Sequence, residues 1–280
     1  MAVPGPDVLE AFRLSGKPVV LAGGEGRSVR VGDAVLKPAD SDPQIADWLA
    51  RTMASISETD FRLSRPLNTV DGHWTHDGWT ASQYTPGAEP DHTTAPRWLE
   101  IIAAGRAFHR AVASLARPDH LTRRTDWWEI GNQVAWQERE PDLAPDLRGP
   151  YTQLASLLGP PPPQQSQLIH GDLTGNVLFA PGLAPAVIDF SPYWRPAAFG
   201  EAVIVGDALI WHGAGTDLLR QAAPEGGPDF IQFLARAVIY RLVTTNEQLR
   251  YQHTGDHTDT RAEVRRYERA VALLADFARG

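Results

Sequence analysis

The stretch LIHGDLTGNVLFAPGLAPAVIDFSP, residues 168–192, contains Asp172, then Asn176 four positions on and Asp189 thirteen beyond that. Apolar pairs flank the polar segment His170 to Asn176, and Ala186-Val187-Ile188 runs into Asp189, so all three oxygen-bearing side chains fall on turns or at a strand end. Magnesium takes oxygen ligands and is held by one or two protein groups plus nucleotide phosphates, a role open to Asn176 and Asp189. That leaves Asp172 free of metal, able to accept a hydrogen bond from a substrate hydroxyl, aim it at a terminal phosphate and take its proton. Singly, His170-Gly171-Asp172 reads as a turn, Asn176 as a cap and Asp189 as a strand-terminal acid. The joint arrangement is what points to chemistry.

A site of this kind needs cationic and backbone groups for the phosphates, which directs attention to the first hundred residues. Lys17 and Lys37 are the two lysines among 26 basic residues, so a lysine kept at a strand end suggests a place where a compact ammonium matters. Strands are predicted at Val19 to Ala22, Ser28 to Val31 and Ala34 to Lys37. They are joined by Gly23-Gly24-Glu25-Gly26 and by the two-residue, glycine-first turn Gly32-Asp33. Glycines such as Gly23, Gly24 and Gly26 let backbone N–H groups approach phosphate oxygens, although most such clusters are plain hairpin turns. Ser41-Asp42-Pro43 starts a helix with Ile45, Trp48, Leu49, Thr52 and Met53 at helical spacing. Short aromatic-rich strands are expected at Gly72 to Thr75 and Trp79 to Tyr84, ending in Thr85-Pro86-Gly87, a linker signal.

From Pro96 to Ala116 the spacing predicts a long amphipathic helix. Helical patterning continues over 126–158, broken at Pro141, Pro145 and Pro150, and four prolines at 160–163 form a rigid connector. Further helices are expected at Asp207 to Arg220, Asp229 to Leu249 and Arg261 to Arg279. The nine tryptophans most simply fill core and interhelical gaps. The net charge of -8, with no basic block, disfavours a nucleic-acid partner. No apolar run reaches the roughly 18 residues of a membrane span and the N-terminus lacks a secretory pattern, so a cytoplasmic location is expected. The absence of cysteine removes disulfides and thiolate chemistry.

HGDLTGN followed by VIDF resembles the catalytic and metal-binding loops of the aminoglycoside phosphotransferase and choline kinase group. The resemblance runs over roughly residues 18 to 212 and implies an α+β, protein-kinase-like bilobal fold. That fold has a small antiparallel-sheet N-lobe with one helix, residues 1–85, binding nucleotide, and a larger, mainly helical C-lobe, residues 86–280, for catalysis and the acceptor. It implies Asp172 as catalytic base and Asn176 and Asp189 as ligands of Mg2+. Lys37 would lie on the α- and β-phosphates, held by a helix carboxylate for which Asp47 is the candidate and Glu58 a second choice. Backbone groups of Gln83, Tyr84 and Thr85 would face adenine, and His109 would be a buried structural histidine near the catalytic loop. Departures from the pattern are an Asp at position 47 in place of the usual Glu, and Ser191-Pro192 where protein kinases have a glycine, which argues against a mobile activation loop. The implied activity is transfer of the γ-phosphate of ATP, or GTP, to a small-molecule hydroxyl. A peptide or protein hydroxyl as acceptor, or a non-catalytic nucleotide-sensing or interaction module, are the alternatives.

Overall fold

A computed structural model describes residues 3–21, 26–39, 42–92, 95–226, 229–251 and 260–279, and the chain divides into two compact units. The first comprises residues 1–89 together with 177–190, and the second comprises 90–176 together with 191–280.

In the first unit a short helix, α1 (Pro6–Ala11), precedes β1 (Val19–Val20), β2 (Val29–Val31) and β3 (Ala34–Pro38). The β2–β3 register pairs Val31 with Ala34, and of the two turn residues only Gly32 has positive φ (59°), as the glycine-first turn requires. Helix α2 (Pro43–Ser55) begins where Asp42 accepts the Gln44 N–H at 2.8 Å. Then come β4 (Arg62–Leu63), β5 (Thr75–His76) and β6 (Trp79–Gln83). Asp77 and Gly78 both take positive φ in the turn between β5 and β6, as a tight Asp-Gly hairpin demands. The sheet order is β1-β2-β3-β6-β5, all antiparallel. Alternate residues of β2, β3 and β6 (Val29, Val31, Leu36, Trp79, Ala81) turn to one face, where Val8 and Phe12 complete a core. Helix α1 is thus an addition to the one helix expected here. Six residues are too few to show a helical period.

Residues 177–190 supply β8 (Val177–Leu178) and β9 (Ala186–Val187), which pair antiparallel, while β4 adds to β9 in parallel. Arg62 secures the return by donating to the carbonyls of Ala184 at 2.7 Å and Pro86 at 3.0 Å.

The second unit opens with α3 (Ala95–Val112) and a 3-10 turn at Asp119–Arg123, then α4 (Trp127–Ala135) and α5 (Pro145–Ala155). Pro145 starts α5, but Pro150 lies inside it rather than ending it. One antiparallel pair follows, β7 (Gln167–His170) with β10 (Pro192–Arg195), in register His170↔Pro192. Helices α6 (Ala197–Trp211), α7 (Thr216–Gly226), α8 (Phe230–Tyr251) and α9 (Thr260–Arg279) complete it. The single helix expected over 207–220 is therefore two, and the first starts ten residues earlier. Nearly every residue of α6 from Phe199 to Ile210 is buried, so it has no polar face to set a period. Helix α8 is the hub of the unit, packed against α4, α5, α6 and α9. Among the described residues, no helix is long and apolar enough to cross a membrane.

Candidate active site

The loop between β7 and β8 is built from the histidines below it. His109, on α3, is buried, and its Nε2 accepts the backbone N–H of His170 at 3.1 Å. His170 in turn accepts the Asp172 N–H on Nδ1 at 3.2 Å. Burial first, and the neighbouring His170 second, lower the His109 imidazole to about 3, so it is a neutral acceptor at ordinary pH. This is the structural role expected of it. Two glycines permit the close packing. A Cβ on Gly200 of α6 would stand 2.6 Å from His109 Cε1, and one on Gly171 would stand 2.3 Å from the Tyr193 ring. Gly171 N–H also donates to the Ser191 carbonyl at 2.9 Å, so the segment after Asp189 is tied back to the loop and continues as β10.

Asp172 and Asn176 are brought together at the top of this stack. Asn176 Nδ2 donates to the Asp172 backbone carbonyl at 2.7 Å, and lies 3.4 Å from Asp172 Oδ2. With its nitrogen so engaged, Asn176 has its amide oxygen to offer a cation. Asp172 Oδ1 accepts from Arg241 Nη2 at 2.6 Å. The same guanidinium, on α8, donates to Asp207 of α6 through Nε at 2.8 Å and Nη2 at 2.7 Å. Thr174 Oγ1 adds a further bond to Asp207 Oδ2 at 2.7 Å. The side chains of Arg241 and Asp207 are 4% and 3% exposed, whereas that of Asp172 is 41% exposed. Thus two buried groups hold one exposed carboxylate. Burial pushes the Asp207 carboxyl up although Arg241 pulls it down, and Asp207 and Asp172 hold Arg241 firmly in its charged form. The rings of Tyr240, Trp128 and Trp211 lie 5.0, 5.5 and 5.8 Å from the Arg241 guanidinium carbon.

Neither Arg241 nor Asp207 was among the residues singled out from sequence. The available signal was a charge within an apolar helical run, Asp207 in VIVGDALI and Arg241 in AVIYRLV, because such a charge must find a partner when buried.

The first unit carries the other predicted residues. Lys37 on β3 forms an ion pair with Asp189, which follows β9 and has φ 51°. The expected Lys37–Asp47 pair is not formed. Asp47 instead pairs with Arg51 at 2.8 Å one turn along α2, and Glu58, the second choice, pairs with Arg65 at 2.8 Å. A carboxylate facing an arginine at i+4 finds its partner locally, and an Asp is short for anything farther. Gly26 has φ 69° and open space around its α-carbon, while Gly23 and Gly24 lie outside the described residues. Gln83 and Tyr84 use their N–H groups on the Arg65 and Asp33 carbonyls, each at 2.7 Å, and Thr85 Oγ1 lies 3.5 Å from the Leu63 carbonyl. Those two backbone donors are therefore already engaged within the unit. Arg30 stacks 3.6 Å above the Tyr84 ring.

A family model described as phosphotransferase enzyme family matches residues 13–193. No curated protein sequence matches the chain. Among solved structures, an aminoglycoside phosphotransferase from Alicyclobacillus acidocaldarius superimposes with a TM-score of 0.65 at 14% identity, covering 100% of this chain and 96% of that one. A thermostable aminoglycoside phosphotransferase mutant in ternary complex with AMP-PNP and hygromycin B gives 0.61 at 15% identity, over 97% and 98% of the two chains. A spectinomycin phosphotransferase in complex with ADP and spectinomycin gives 0.59 at 12% identity, over 98% and 97%. The α+β fold is thus that of aminoglycoside phosphotransferases, the kinase-like fold.

Proposed function

The chain belongs to the phosphotransferase enzyme family, and from that premise we propose that it is a small-molecule kinase moving the γ-phosphate of ATP, or GTP, to a substrate hydroxyl. What carries the reading is the state of Asp172: an exposed carboxylate with one oxygen held by a buried arginine, on the same loop as an Asn whose amide nitrogen is already engaged. Asp172 orients the acceptor hydroxyl and takes its proton as the phosphoryl group is transferred. Lys37 neutralises charge on the nucleotide phosphates. Asn176 and Asp189 would hold magnesium, since an amide oxygen and a carboxylate are the hard oxygen donors it takes. Magnesium, when bound, offsets phosphate charge. Gly26, with open space around its α-carbon, leaves room for phosphate oxygens. Gly23 and Gly24 are assigned to the same phosphate-binding turn from the sequence, and Gln83, Tyr84 and Thr85 border the base through the groups that their internal bonds leave over. Asp47 takes no part in holding Lys37 on this reading.

On this reading residues 1–85 serve nucleotide and 86–280 the acceptor, with residues 177–190, Asp189 among them, grouped with the first unit. Solved neighbours of the same fold carry AMP-PNP with hygromycin B, or ADP with spectinomycin, which supports a nucleotide donor and a small-molecule acceptor.

Thermal unfolding with and without Mg-ATP tests the reading, comparing wild type with Asp189→Ala. At a hundred times its dissociation constant a ligand stabilises the folded state by about 2.7 kcal/mol, a clear rise in midpoint. The rise is expected to need magnesium and to vanish in Asp189→Ala. A wild type that shows no rise with either ATP or GTP would remove the nucleotide site.

A further inference from the structure

We propose that Arg241 is a positioning residue for Asp172, fixing the plane of its carboxylate so that Oδ2 is the oxygen presented to the acceptor. The inference rests on the reading of Asp172 as base. Three observations carry it. First, Arg241 Nη2 to Asp172 Oδ1 is the shortest bond the guanidinium makes, at 2.6 Å, against 3.4 Å for the Asn176 amide on Oδ2. One oxygen is therefore pinned and the other only weakly engaged. Second, Arg241 has no freedom to follow Asp172, because Asp207 grips it at Nε and Nη2 and Thr174 holds Asp207. Third, stability gives no reason for the arrangement. A buried ion pair is often matched or bettered by apolar residues of the same volume, and here one guanidinium sits between two carboxylates. A guanidinium is the group that can reach two carboxylates at once with its hydrogens in a fixed plane, which an ammonium cannot do.

The decisive substitution is Arg241→Lys, which keeps the charge and loses the planar bridge. With water as acceptor, Mg-ATP hydrolysis is measured alongside the midpoint of thermal unfolding, with Asp172→Ala in parallel. We expect kcat to fall on the order of 100-fold, as for a catalytic group displaced by about 1 Å, with KM for ATP and the midpoint shift on adding Mg-ATP within about twofold of wild type. A folded Arg241→Lys protein with wild-type kcat overturns the proposal, as does one whose only defect is a raised KM for ATP. If Arg241→Lys does not fold, the double variant Arg241→Gln/Asp207→Asn removes both buried charges together and is expected to show the same fall in kcat. Unchanged kcat there overturns the proposal equally. The underlying reading fails separately: wild-type protein without turnover, or Asp172→Ala with full turnover, takes away the base itself.

Discussion

Replacing His109 by Gln is expected to flatten the acid limb of the stability curve. His109 is wholly buried and lowered from the ordinary 6.5 to about 3. As pH drops below 6.5 the unfolded chain binds a proton on this imidazole while the folded chain does not until about 3. The unfolded state therefore binds more protons throughout that window, and folding stability falls as pH falls. Above pH 6.5 both states carry neutral His109 and the effect is absent. Each pH unit within the window corresponds to about 1.4 kcal/mol, so at about pH 4.5 this one group removes roughly 3 kcal/mol of stability, a large share of a typical domain's total. Gln keeps an oxygen to accept the His170 N–H and cannot titrate. Urea unfolding of both proteins at about pH 7.5 and about pH 4.5 separates this from the carboxylates, which titrate in both. The variant will be less stable at neutral pH, yet should lose roughly 3 kcal/mol less than wild type on acidification. Equal losses in the two proteins would refute a buried neutral His109.

Gly171→Ala should destabilise by about 1–3 kcal/mol and lower turnover together. Its new methyl would meet the Tyr193 ring at 2.3 Å, and that ring cannot step aside, since its hydroxyl is bonded to Tyr240 at 3.1 Å and to Arg124 at 3.3 Å. Denaturation midpoint and ATP turnover check it, and an unchanged midpoint would mean that the loop has room. Lys37→Met should behave oppositely. Its ion pair with Asp189 is 32% and 41% exposed, so stability should change by less than about 1 kcal/mol while ATP affinity falls at least tenfold by calorimetry. Undiminished affinity would remove Lys37 from the phosphates.

The loop proposed as catalytic was legible as a candidate because phosphoryl chemistry demands particular residue types within one short segment, where spacing alone singles them out. Its support was not. Arg241 is 69 residues from Asp172 and Asp207 is 34 from Arg241, so the bonds joining them leave no local pattern. Helix α6 was half-missed for a related physical reason. Amphipathic periodicity reports a surface, and α6 has almost none. Strand β4 has two residues, below the length at which alternation can be read, whereas β8 and β9, equally short, were legible as apolar runs beside the polar turns. Asp47 misled because sequence position put an acid on the right helix, while Arg51 one turn on already claimed it. Hairpin turns, by contrast, were read correctly at Gly32-Asp33, where the requirement for positive φ is strictly local.

The two ion-pair systems differ in a way that suits the parts proposed for them. Lys37 and Asp189 are both substantially exposed, and a screened pair of this kind contributes only about 0–1 kcal/mol. It can be dismantled at little cost when phosphates and a cation arrive to take over each partner. Arg241 and Asp207 are almost fully buried, and removing one partner from such a pair costs about 3–5 kcal/mol, so the arrangement does not open on ligand binding. Binding groups must exchange water and each other for ligand. A base must already be in place, because any reorganisation at the moment of transfer adds to the barrier. Exchangeable electrostatics around Lys37 and fixed electrostatics beneath Asp172 are therefore what a phosphotransferase requires of the same amino-acid types, and burial is the variable that separates them.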